Sequence, residues 1–144
     1  MNTFSSLLKF RKGKPPTEAQ ERARRDFSGR LAQSKLALRN PADPIAPTGK
    51  HIILGVATYA AGELKLLDQL EEALKRGGPQ TDVAVFDVLD CQGPADFDRF
   101  IPGIDPVYRT PVIGVIADGK LVDQATGLSD VANSLRRFKV LDRG

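Results

Sequence analysis

The chain carries one cysteine, Cys91, one histidine, His51, and no tryptophan among its 144 residues. A single thiol excludes an internal disulfide and a thiolate metal cluster, and points to a reducing compartment, the cytoplasm in the simplest case. One His with one Cys falls short of the three or four ligands of a zinc site, so His51 reads as a polar residue at a strand end. A Ser-His-Asp hydrolase arrangement would have only His51 to draw on. No apolar run approaches the ~18 residues that a transmembrane helix needs. Gly-rich phosphate loops and cofactor motifs are missing, and no cofactor is expected.

What is present is unevenly charged. The net charge is +3, yet residues 1–50 hold 11 Lys/Arg against 4 Asp/Glu, and residues 51–144 hold 10 against 14. This asymmetry suggests a basic arm, residues 1–49, attached to a mildly acidic domain, residues 50–144. Met1 to Lys14 has no acidic residue, as some transit peptides do, so organellar targeting stays open; its apolar stretch is too short and interrupted for a secretory signal. Phe4, Leu7, Leu8 and Phe10 could line a short amphipathic turn, which Pro15-Pro16 ends. Thr17 and Gln20 form a capping-box pattern opening a helix over about 18–38, with Phe27 and Leu31 near one face. The apolar stripe is thin, so that helix needs something to pack on. Residues 40–49 hold three prolines and read as an extended linker.

From His51 the pattern becomes regular. HIILGVATY and Val83 to Leu89 read as buried strands, with a helix between them carrying Leu66, Leu67, Leu70, Ala73 and Leu74, stopped by Gly77-Gly78-Pro79. Ala95 to Phe100 reads as a short helix. Pro111 to Ala117 and Leu121 to Ala125 are strands joined through Asp118-Gly119, a hairpin signal because both positions favour positive φ. A last helix starts at Ser129 or Asp130. The order β-α-β-α-β-β-α predicts an α/β fold with a four-stranded mixed sheet and helices on both faces.

The stretch YRTPVIGVIADGKLVDQATGLS, Tyr108 to Ser129, resembles the closing half of the thioredoxin-like fold family, and the resemblance extends over about residues 51–140. It implies that Thr110-Pro111 is the family's cis-proline, which presents a strand edge to bound peptides, and that Gly127 is the Gly after the last strand. The front half departs from the family. Where its redox motif lies, this chain has Ala61-Gly62-Glu63-Leu64, with alanine and leucine at both cysteine positions and Glu63 in place of proline. The buried carboxylate of the preceding strand has no counterpart in GVATY. Thiol exchange needs an attacking thiolate and a resolving thiol, so the resemblance implies a redox-inactive member.

Of the remaining chemistry, Cys91 is the one candidate thiol; Asp90 beside it disfavours a thiolate, and an ordinary thiol is the plainer reading. Asp87, Asp90, Asp96, Asp98 and Asp105 lack calcium-loop spacing and read as a solvated acidic surface. Gly62 at a helix start could attract an anion, which Glu63 would repel. In the arm, Lys9, Arg11, Lys12, Lys14, Arg22, Arg24 and Arg25 could meet a protein surface, RNA or an anionic membrane, or simply face water. The reading that follows is a non-catalytic protein-binding or structural subunit of a larger assembly. It would be anchored through the arm by Arg22, Arg24, Arg25, Phe27 and Leu31, with a second contact at Thr110 and Pro111. A one-cysteine redox enzyme or sensor using Cys91 is the alternative from another class, and an RNA- or ribosome-associated protein a third.

Overall fold

The computed structural model describes residues 17–33, 36–58, 60–75 and 82–138. The first of these is the capping box: Thr17 Oγ1 accepts the Gln20 N–H at 3.2 Å, and Gln20 Oε1 accepts the Thr17 N–H at 2.9 Å. Two orphan donors of the first turn are thereby satisfied, and α1 runs Glu18–Ala32. It ends six residues before the predicted Leu38. Leu36 is buried, and Ala37–Leu38 form a short strand β1 beside Asp82–Asp87, the strand β3. The free edge of β3 captures this backbone, with Arg39 N–H donating to Val85 O at 2.8 Å; hydrogen bonding to a sheet edge has overridden helical propensity.

The remaining elements are β2 Lys50–Val56, α2 Ala61–Lys75, α3 Phe97–Phe100, β4 Val112–Ala117, β5 Lys120–Thr126 and α4 Leu128–Arg137, with single 3-10 turns at Val88–Asp90 and Pro94–Asp96. The sheet order is β1-β3-β2-β4-β5: β1 and β2 lie parallel to β3, and β4 lies antiparallel to β2 and β5. The sheet therefore has five strands instead of the predicted four, and the extra strand comes from the segment read as arm. From β2 onward the chain follows the thioredoxin-like order, and the Thr110-Pro111 peptide is cis. Asp118 and Gly119, at φ 50° and 81°, make the tight turn between β4 and β5.

Strand alternation separates two cores. Ile52, Leu54, Val56, Val83, Val85, Ile113 and Val115 face α1, α2 and α4 in one. Ile53, Phe86, Val112 and Ile116 face α3 and its flanks in the other, where Phe86 stacks on Phe100 with centroids 4.3 Å apart. On this second side the covering layer approaches closely. A Cβ on Gly114 would lie 2.2 Å from Ile101 Cγ2, and one on Gly55 would lie 2.5 Å from Phe86 Cζ.

The arm is part of the fold. Phe27 and Leu31 are 3% and 5% exposed in the first core, so neither is available to a partner, contrary to the expectation from sequence. The thin apolar stripe of α1 finds its packing surface on its own sheet. Two arginines fix its position: Arg30 pairs with Asp68 and Glu71 of α2, and Arg24 pairs with Asp90 at 2.6 Å and Asp87 at 3.5 Å. The Pro-rich segment is likewise tied down, with Gly49 N–H donating to Asp118 Oδ1 and Asp118 N–H to Gly49 O, both at 3.0 Å. The remaining arm residues singled out from sequence, Phe4, Leu7, Leu8, Lys9, Phe10, Arg11, Lys12 and Lys14, lie outside the described residues, as does Gly77-Gly78-Pro79.

Because Phe27 is a core residue, Phe27→Ala is expected to cost about 3–5 kcal/mol of folding stability, read as a lower urea midpoint. An unchanged midpoint would mean that α1 is dispensable to the fold. Deleting residues 1–45 is expected to leave a chain that no longer unfolds cooperatively.

Candidate functional site around cis-Pro111

The carboxyl ends of β2 and β3 and the amino end of β4 meet at one edge of the sheet, because β4 runs against the parallel pair. Ala57 and Thr58 leave β2 there, Asp87 ends β3, and Thr110-Pro111 enters β4. The first turn of α2 covers them, and its sequence is the degenerate motif. Ala61 and Gly62 are exposed and Leu64 packs partly against the first core. Glu63 points inward and is 4% exposed. One of its oxygens accepts the Ala57 N–H at 2.6 Å and the other the Thr110 hydroxyl at 2.8 Å. This carboxylate links three segments: the β2–α2 connection, α2 and the entrance to β4.

Asp87 is the second buried carboxylate at this end, also 4% exposed. Its Oδ1 accepts the Leu89 N–H at 2.9 Å, its Oδ2 accepts the Thr58 hydroxyl at 3.2 Å, and Arg24 approaches from α1. Burial raises both groups, Glu63 to about 7 and Asp87 to about 6, against the hydrogen bonds that favour their charged forms. The solvated acidic surface expected from sequence thus holds only in part: Asp90, Asp96, Asp98 and Asp105 are half-buried or exposed, whereas Asp87 is interior. GVATY indeed supplies no carboxylate, but α2 and β3 bring two to the same end of the sheet.

Glu63 could have been found from spacing. It lies four residues before Leu67 and seven before Leu70, on the same stripe as the buried leucines of α2. Asp87 stands between Phe86 and Val88 in an apolar run, a weaker sign of burial.

Cys91 follows the 3-10 turn after β3 and is 2% exposed in the second core. Burial first, then Asp96 and Asp90, push its thiol up to about 12, so thiolate is scarce at neutral pH. His51 sits at the other end of β2, with Nε2 2.9 Å from Thr48 O. Among the described residues no group of three or more His, Cys, Asp or Glu is placed to hold a metal ion, and no helix is long and apolar enough to cross a membrane. Of the arm arginines, Arg22 and Arg25 are exposed, while Arg24 is committed to Asp87 and Asp90. Gly127, at φ 91°, precedes α4, and its N–H donates to Pro111 O at 2.9 Å, joining the start of that helix to the cis-proline. Tyr108 is 58% exposed and Arg109 is exposed, forming the outer rim beside the buried Thr110 and Pro111.

No protein-family model and no curated protein matches the sequence. Among solved structures, that of a yeast mitochondrial 1-Cys peroxiredoxin is similar, with 17% sequence identity, coverage of 80% of this chain and 86% of that chain, and a TM-score of 0.41. A likeness at this level assigns no chemistry to the present chain.

The raised carboxyl groups have a consequence for stability. A carboxyl group that is harder to ionise when folded stabilises the fold below its unfolded value, and that stability is lost as pH rises through the folded value. For Glu63 the window runs from about 4.5 to about 7. Glu63→Gln removes this titration. Its stability relative to the parent is expected to rise by roughly 2 kcal/mol between pH 5 and pH 8, measured by urea unfolding at both. A difference that is flat with pH would refute the buried ionisation.

Proposed function

We propose that this chain is a non-catalytic thioredoxin-like protein-binding or structural subunit that meets its partner at the rim around Thr110-Pro111. The observation that carries the reading is the state of Glu63. Where the resembling family keeps a redox motif, this chain has a buried carboxylate whose two oxygens are occupied by Ala57 and Thr110. Disulfide exchange requires an accessible thiolate and a second thiol. Cys91 is one thiol, buried and raised to about 12. A single unpaired cysteine suits work in a reducing compartment, the cytoplasm in the simplest case.

What faces outward at this end is of the kind that makes interfaces. Tyr108 and Arg109 combine contact area with a forked donor, and such side chains dominate binding energy between proteins. The anchoring role read into the arm narrows accordingly. With Phe27 and Leu31 inside the fold, α1 offers an assembly the exposed Arg22 and Arg25 as polar contacts.

Two measurements test this reading. Disulfide reductase and peroxidase assays are expected to give no turnover above background, unchanged in Cys91→Ser; activity that Cys91→Ser abolishes would replace the proposal with a one-cysteine redox role. A photo-crosslinking residue at position 108 or 109 is expected to form a discrete adduct in cells, while one at the exposed Val122 of β5 forms none. Equal adducts at 108 and 122 would remove the rim as the contact surface.

A further inference from the structure

On the α3 face of the sheet, the residue after β1 presents an electrostatic problem. Arg39 is 8% exposed. Its Nε donates to Phe100 O at 2.8 Å, and its Nη1 donates to the main-chain carbonyls of Asn40 at 2.9 Å and Asp43 at 2.7 Å. All three acceptors are neutral. Among the described residues no carboxylate stands within ion-pair distance of this guanidinium. Burial lowers its pKa from the ordinary value, and the exposed Asp43 carboxylate opposes that only through space. Interior charges are ordinarily paired, because desolvating an ion without a counter-ion is costly.

The same guanidinium lines a cavity of about 380 Å³, within the range of roughly 300–1,000 Å³ that small-molecule sites occupy. Arg99 lines it too, exposed, with its guanidinium carbon 5.8 Å from the centroid of the Phe100 ring. Ile45, Pro102 and Ile116 supply apolar wall. Two guanidinium groups over an apolar floor select both charge and shape. Their planar forks match a carboxylate in geometry, and the wall accommodates a hydrocarbon body. Asp43 at the same cavity disfavours a second negative charge on the ligand.

We infer that this cavity binds an organic monoanion, a carboxylate carried on an apolar body, with the carboxylate on Arg39 and Arg99 and the body on Ile45, Pro102 and Ile116. The ligand is either a free small carboxylic acid or the C-terminal carboxylate of a peptide; the recognising chemistry is the same. The cavity shares no lining residue with the cis-proline rim, and the inference does not depend on the function proposed there.

The test is an NMR titration of the full-length ¹⁵N-labelled chain with sodium hexanoate, hexanamide, an acetylated peptide ending in Leu-Val as free acid, its C-terminal amide, and inorganic phosphate. Saturable shifts are expected for amides in 39–45, 99–102 and 116–119 with hexanoate or the acid peptide, and the tighter of the two identifies the source. Neither amide compound and no phosphate should match them. Arg39 also braces the chain, so the informative variant is Arg99→Ala, which is expected to weaken binding roughly tenfold or more while leaving the remaining spectrum in place. The inference is overturned by amides or phosphate that bind as well as the acids, by an affinity that Arg99→Ala leaves unchanged, or by the lack of saturable binding with either acid.

Discussion

Everything at the cis-proline end of this molecule depends on holding one carboxylate in an apolar interior. Glu63 is tolerated there because both of its oxygens meet donors, a backbone N–H that would otherwise be an orphan at the end of β2 and a hydroxyl at the entrance to β4. The exchange is reciprocal. Ala57 N–H and the Thr110 hydroxyl belong to buried residues and need an acceptor, which Glu63 supplies to both. Removing the side chain would leave two donors unsatisfied, whereas protonating it retains most of the geometry. The first turn of α2 thereby acts as a structural clasp.

The second constraint is that a two-sided sheet must be covered on both faces. The α3 side is covered by short, aromatic-rich turns that approach so closely that Gly55 and Gly114 have no space for a side chain. The other side is broader. There α1 brings Phe27 and Leu31 to the core, and the residue before β1 adds Leu36. Its position is reinforced by ion pairs of unequal weight. Arg30 bridges two carboxylates near the surface, where screening keeps the gain small. Arg24 reaches the interior Asp87, so the helix and the buried carboxylate offset part of each other's burial cost.

How much of this was legible in the residues follows from which signals are local. Asp118-Gly119 and the capping box at Thr17 are short-range features, and each lies where the sequence places it; the cis peptide at Pro111 and Gly127 lie where the resemblance implied them. The strand-helix alternation from β2 to α4 was equally plain, since it rests on hydrophobic period alone. β1 was not legible: Ala37–Leu38 has two exposed residues and no alternation, and it is a strand only because β3 has a free edge. The end of α1 is not legible for the same reason, and a thin stripe looks identical whether it awaits a partner or its own sheet. Glu63 was read by its charge, although its position in the leucine stripe of α2 said interior. Residue type and residue position disagreed, and position decided.

Two buried charge sites of the molecule show the same physics with opposite outcomes. At one, buried anions at Glu63 and Asp87 are surrounded by donors, and their burial is met within the chain by hydrogen bonds from Ala57, Thr110, Thr58 and Leu89. At the other, the buried cation of Arg39 is hydrogen-bonded by main-chain carbonyls, with the exposed Asp43 acting through space, beside a cavity that holds a second arginine. Carbonyl groups satisfy the geometry of a guanidinium but do not neutralise its charge. Burial within one chain is thus met by donors around the carboxylates of Glu63 and Asp87, and by neutral acceptors around the guanidinium of Arg39.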